Sequence, residues 1–235
     1  MTDTFKWLLD GAHWHGADGI PHRFVEHSEI TLLAVGLACL IALPIGLLLG
    51  HWRRGGLLAI NISNVGRAIP TFAVLVIFAS MDQIGIGNKA AIYALAIFAV
   101  PPILTNTYVG MTGVDRDVLE SARGMGMREP QVLVKVEMPL ALPLIAAGLR
   151  TATVQVVATA TLAALVAGGG LGRFVVDGFG QQDRPQIYAG ALIVAVLCLL
   201  TELVLGLVQR MLTPGGGRAR TARIDDVTVS GGITP

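Results

Sequence analysis

Charge is what this chain of 235 residues has least of: Asp, Glu, Lys and Arg make up 14% of it, against roughly 25% in an ordinary soluble domain, while 53% is hydrophobic. A surface that faces only water is thereby excluded, and a membrane is the first candidate for what covers the apolar remainder. The formal net charge is +1, and the basic residues are scattered instead of forming a run interleaved with aromatics, which argues against a nucleic-acid partner. Only two cysteines occur, Cys39 and Cys198, both inside apolar runs. They read as packing residues and make neither a disulfide framework nor a metal pair. No Gly-x-x-x-x-Gly-Lys-Ser/Thr loop is present, so the sequence offers no such backbone cradle and lysine for a nucleoside triphosphate. His-Glu-x-x-His, Gly-x-Ser-x-Gly and paired in-span carboxylates are missing as well, which leaves an intramembrane enzyme without nucleophile or base. The start of the chain has no basic segment leading into a short apolar core and a small-residue cleavage site, so the first apolar run is expected to act as its own targeting signal.

Long apolar runs are what the chain has instead. Five of them, about Ile30 to Gly50, Leu57 to Ser80, Lys89 to Met111, Leu140 to Val166 and Ile187 to Val208, are long enough at ~1.5 Å per residue to cross a ~30 Å hydrocarbon core. The expected fold is an all-α integral membrane protein with five transmembrane helices. With the segment between the third and fourth runs inside, the inner segments hold ten basic residues, Arg53, Arg54, Arg116, Arg123, Arg128, Lys135, Arg210, Arg218, Arg220 and Arg223. The outer ones hold five, Lys6, Arg23, Lys89, Arg173 and Arg184. Because Lys and Arg accumulate on the cytoplasmic side, the N-terminus is expected outside and the C-terminus inside. The chain divides into an extracytoplasmic tail over 1–28, one transmembrane domain over 29–212 and a solvated cytoplasmic tail over 213–235, rich in Gly, Thr, Arg and Asp.

The longest inner segment, residues 113–139, is amphipathic, with Val118, Ala122 and Met125 at helical spacing. Two short helices are expected. Asp115 or Asp117 suits the cap of the first, Gly126 a left-handed C-terminal position, and Pro130 the first turn of the second. A compact helical knob results.

This segment resembles the signature of bacterial ABC importer permeases: Glu-Ala-Ala, three residues, Gly, nine residues, Ile, one residue, Leu-Pro. The chain has Glu120, Ser121 and Ala122, then Gly126, then Val136, Met138 and Pro139 in the same register. Ser121, Val136 and Met138 depart from the pattern by small or similar-volume changes. The resemblance implies a type I importer permease whose knob is the coupling helix, seated in a groove of a separate ATPase subunit that binds ATP and Mg2+; no cofactor is expected in this chain. It also implies a second permease chain, identical or paralogous, an external solute-binding protein that sets specificity, and a bacterial plasma-membrane location. Further segments resemble the osmoprotectant branch, with glycine betaine, carnitine, choline or proline betaine as solutes: residues 67–75, residues 100–115, and the glycine-rich residues 167–173. Related permeases for methionine or sulfonates share the last segment and the general layout. A self-sufficient carrier or channel is the rival reading, but it has no use for a coupling knob.

Within the spans, Thr151, Gln155 and Thr159 recur at i, i+4 and i+8 and place a polar stripe on one helix face, suited to line the translocation path or to pack closely against another helix. Glu202 is the one acidic residue deep in a span and calls for a partner, with Arg67 and Arg150 available, in a structural pair or a gating one. Glu120 suits either a basic partner on the ATPase or a cap for its own helix. Pro70, Pro101 and Pro102 fall inside spans and mark bends or hinges. Gly168, Gly169, Gly170 and Gly172 predict a tight turn at the outer end of the fourth span, on the surface that by resemblance meets the binding protein. His13, His15, His22 and His27 match no zinc spacing, and no metal is expected there.

Overall fold

The structure, a computed structural model, describes residues 2–56, 61, 65–66 and 68–212. All regular elements among the described residues are helical. A short helix α1 (Thr2–Leu9) and a 3-10 turn (Gly11–Trp14) precede the long α2 (Ile20–His51). Then come α3 (Thr71–Ala79), α4 (Asn88–Thr112), α5 (Arg116–Gly124) and α6 (Glu129–Val132). A π-helical segment (Leu133–Glu137) leads into α7 (Met138–Thr159), which tightens into a 3-10 stretch (Ala160–Val166). The amphipathic α8 (Gly172–Gln181) and the long α9 (Arg184–Leu212) complete the order.

Four helical stretches among the described residues are long and apolar enough to cross a membrane: Ile20–His51, Asn88–Thr112, Glu129–Val166 and Arg184–Leu212. They correspond to the first, third, fourth and fifth apolar runs. The second run, Leu57 to Ser80, lies partly outside the described residues, and α3 is its described part. Pro70 caps α3 with an extended backbone instead of bending a continuous helix. At Pro101 and Pro102, by contrast, α4 runs on unbroken. The expected tail is helical, and the first spanning helix begins at Ile20, nine residues before the boundary read from hydropathy, because Pro21 at its first turn starts a helix that polar residues can occupy before the apolar run begins.

The bundle is held by small residues. Ala34, Ala38 and Ala42 are fully buried and continue into Gly46 and Gly50, one every fourth residue along α2. A Cβ on Gly46 would lie 2.8 Å from Thr107 Cβ, and one on Gly50 would lie 2.4 Å from Met111 Cβ. Helices α2 and α4 therefore run parallel at close range, with Ala91, Ala94, Ala99 and Ile103 buried opposite. Close backbone approach of this kind is how helices associate where lipid removes the hydrophobic drive. Helix α7 returns antiparallel: Gly148 meets Asn106 and the Pro102 carbonyl, while Gly110 meets Ala141 and Leu144. Helix α9 runs antiparallel to α7, with Arg150 beside Glu202 and Pro143 beside Gln209.

Two ends of the bundle follow. At the turn end lie the starts of α2 and α4, the 3-10 stretch and α8. Trp7 of α1 stacks on His13 (ring centroids 3.9 Å apart) and meets Phe174 of α8 edge-on at 5.5 Å, in a small core with Ile20, Leu171, Ala189 and Val194. At the knob end lie the C-terminus of α2, α5, α6 and the π-helical segment.

Candidate functional site

The knob is a folded unit with its own core. Asp115 is the cap of α5 and accepts from the Asp117 amide at 2.9 Å. Leu119, Ala122, Val114 and Val132 are buried together, with Met127 and Val136 packed against them. The chain then turns at Gly126, whose φ of +83° is in the left-handed region that favours glycine. Pro130 lies in the first turn of α6, and the Gln131 side chain accepts from the Arg128 amide at 2.8 Å. Arg123 closes the two helices on each other through a bidentate pair to Glu129, at 2.9 and 3.1 Å. That hydrogen bond raises the Arg123 guanidinium above its ordinary value.

The residues singled out in this segment divide between inside and outside. Ala122 faces inward, and Val136 is half-buried against the knob core. Met138 and Pro139 open α7 as its first two residues. Glu120 and Ser121 are exposed. Because Asp115 occupies the cap, Glu120 stands free of that task, five residues into α5. The inward helix face is Leu119 with Ala122; Val118 and Met125, read with Ala122 as one apolar face, are 42% and 79% exposed. They flank a shallow cleft of about 360 Å³ with Ser121, Met127 and Val136. The knob thus spends one apolar face on itself and leaves a second uncovered within this chain.

The polar stripe runs along the flank of the α7 core face. Ala152 and Val156 are fully buried, while Thr151 and Gln155 are exposed and Thr159 is half-buried. Thr159 returns its hydroxyl to the Gln155 carbonyl at 2.7 Å. Glu202 pairs with Arg150, one of its two expected candidates, and Arg150 also donates to Gln209 Oε1 at 2.9 Å. Gln209 reaches back to the Pro143 carbonyl at 3.3 Å, so the charge is held in a ladder between α7 and α9. Arg67, the other candidate, lies outside the described residues.

The glycine turn at the other end is anchored by residues that hydropathy and motif did not single out. Ala167 has φ +60° and Gly170 φ +90°. The Gly169 amide donates to Asn88 Oδ1 at 2.7 Å, and the Gly170 amide to Glu26 Oε2 at 2.9 Å. Glu26 also accepts from Arg23 at 2.8 Å. His27, completely buried, contacts the Val157 carbonyl through Nε2 at 2.9 Å. A polar cavity of about 620 Å³ opens beside the turn, bordered by Arg23, Glu26, Asn88, Lys89 and Arg173. Among the four tail-region histidines, His13 stacks on Trp7 and His22 lies 3.6 Å from Glu26.

Residues 42–215, most of the chain, match the family described as binding-protein-dependent transport system inner membrane component. The chain is similar to a choline transport system permease protein, OpuBB, of Bacillus subtilis, 39% identical over 195 residues that cover 83% of this chain and 89% of that one. A glycine betaine/carnitine/choline transport system permease protein of the same organism, OpuCB, is 38% identical over 81% of this chain and 87% of its own. A further B. subtilis choline transport system permease protein, OpuBD, is 35% identical over 82% of this chain and 84% of its own. Among solved structures, the inward-facing MetNI methionine ABC transporter superposes with a TM-score of 0.71 over 81% of this chain and 94% of that one, at 24% identity.

Proposed function

The chain belongs to the family of binding-protein-dependent transport system inner membrane components, and from that premise we propose that it forms the path for a small osmoprotectant such as choline, glycine betaine or carnitine. It is the permease subunit of an ATP-binding cassette importer, a transport component and not an enzyme, with the type I importer fold. The solute class rests on relatives named for choline and for glycine betaine, carnitine and choline transport. ATP and Mg2+ belong to a separate ATPase chain. The second permease chain is identical or a paralogue; relatives named OpuBB and OpuBD for choline transport favour the paralogue.

One observation carries the mechanism: the knob has a buried core of its own yet presents Val118 and Met125 uncovered. A groove of the ATPase that receives this face would bury both, with Glu120 at the rim to meet a basic residue. Movement of the ATPases on binding ATP would then displace the knob, and with it α7, whose first residues are the last of the signature. The exposed Thr151 and Gln155, with the half-buried Thr159, would line the path at the interface between the two permease chains, where hydroxyl and amide groups replace part of the solute's hydration. The knob faces the cytoplasm and the glycine turn the outside, where the binding protein delivers its load. Membrane lipid covers the apolar outer faces of α2 and α9.

Reconstitution in proteoliposomes with the ATPase, a second permease chain and the binding protein tests the solute class. ATP-driven uptake of choline, glycine betaine or carnitine, with methionine excluded, is the expected result; uptake of methionine alone would overturn it.

A further inference from the structure

The end of α2 grips the knob at three points, none of them part of the signature. His51 is the last residue of α2, and its side chain is 9% exposed. Its Nδ1 contacts Glu137 Oε2, and its Nε2 lies 3.4 Å from Glu129 Oε2. Glu137 is 1% exposed and closes the π-helical segment where the knob passes into α7. Two residues past His51, Arg53 donates to the Val114 carbonyl at 2.6 Å, just before α5. One helix end therefore holds the chain entering the knob, the second knob helix, and the chain leaving it. Both ring nitrogens of His51 face carboxylate oxygens. An inserted π turn widens the helix at the point where Glu137 must turn toward α2.

The same helix holds the glycine turn at its other end. Glu26 accepts from the Gly170 amide, and His27 meets the Val157 carbonyl. Residues 26–51 are continuous helix, about 38 Å at ~1.5 Å per residue. Its last two turns are pressed onto α4 through Gly46 and Gly50.

We propose that His51 is a positioning residue that locks α2 to the knob through Glu137, so that α2 moves with the knob and carries ATPase motion to the Gly168–Gly170 turn on the far side. Breaking one partner of a buried pair leaves the other charge uncompensated, whereas replacing both together removes that penalty. The proposal rests on the importer reading. The wild-type complex in the same liposomes is the control for that reading, since absence of ATP-driven uptake there would remove the reading itself.

The experiment uses the reconstituted complex of permease chains, ATPase and binding protein, with whichever of choline, glycine betaine and carnitine the wild type takes up. His51→Ala and Glu137→Ala are each expected to lower solute moved per ATP hydrolysed by about tenfold, while the paired His51→Gln, Glu137→Gln chain returns to within about threefold of wild type. Equal falls in uptake and hydrolysis, or normal transport by the single variants, would overturn the proposal. Should the single variants not assemble, a tether decides: His51→Cys with Glu137→Cys, in a chain with Cys39→Ala and Cys198→Ala, joined by a short bifunctional thiol reagent. Transport at the untethered rate supports a joint that stays closed, and arrest by the tether contradicts it.

Discussion

Asp115 and Gly126 shape the knob by local chemistry alone. The first supplies a side-chain oxygen to an orphan helix amide; the second adopts a backbone region in which other residues are strained. Asp115→Ala is expected to weaken α5 by about 1 kcal/mol and to speed amide exchange over residues 116–124 by roughly fivefold, as read by hydrogen–deuterium exchange. Both features were legible because caps and turns are set by neighbours in sequence. The partner of Glu202 was legible only as a choice between two arginines, because a lone carboxylate in a span announces that it needs a cation but not which one. Arg150 sits 52 residues away, on a helix whose rotation about its axis no local pattern defines. Arg150→Met is expected to destabilise the permease by about 1–2 kcal/mol through the stranded carboxylate, and Arg150→Met with Glu202→Leu to recover most of it, measured as thermal unfolding in detergent. Equal destabilisation in the double variant would show that the pair does not act as a unit. His51 and Glu137 stayed illegible for the same reason, being 86 residues apart and brought together by the packing of α2 against α4 and α7.

At the scale of elements, the spanning helices were readable from hydropathy, whereas α1 and α8 were not. Each is short and amphipathic, and each becomes a helix by burying one side against α9 and the other small element, as Trp7 and Phe174 do. The assignment of Val118 and Met125 to one face with Ala122 missed which part of that arc turns inward. Spacing locates a stripe, but Leu119 takes the core position because Val132 and Val114 close over it. The consequence is functional, since the leftover face is the one available to a partner. Met125→Glu is expected to abolish co-purification of the ATPase while leaving the permease's elution and thermal unfolding unchanged, because the side chain touches little in its own chain. A variant that unfolds would place Met125 in the knob's core instead.

For the whole molecule, the orientation is a proposal that rests on the charge asymmetry. Among the described residues, the knob end carries Arg53, Arg54, Arg116, Arg123, Arg128 and Lys135, and the opposite end carries α1, the glycine turn and the polar cavity. Single-cysteine labelling in a chain lacking Cys39 and Cys198 tests it: Asp3→Cys is expected to react with a membrane-impermeant thiol reagent on intact cells, and Ser121→Cys only after the membrane is opened. The central claim is that transport through this chain is driven by an ATPase acting on the knob. Uptake into proteoliposomes containing the complete complex, with and without Gly126→Asp, is the most direct measurement. Space is open around Gly126, so the substitution strains the turn without creating a clash, and uptake is expected to require ATP and to fall by at least about tenfold in the variant while the permease stays folded. Uptake by this chain alone, without ATP and indifferent to Gly126→Asp, would make it a carrier or channel and contradict the account.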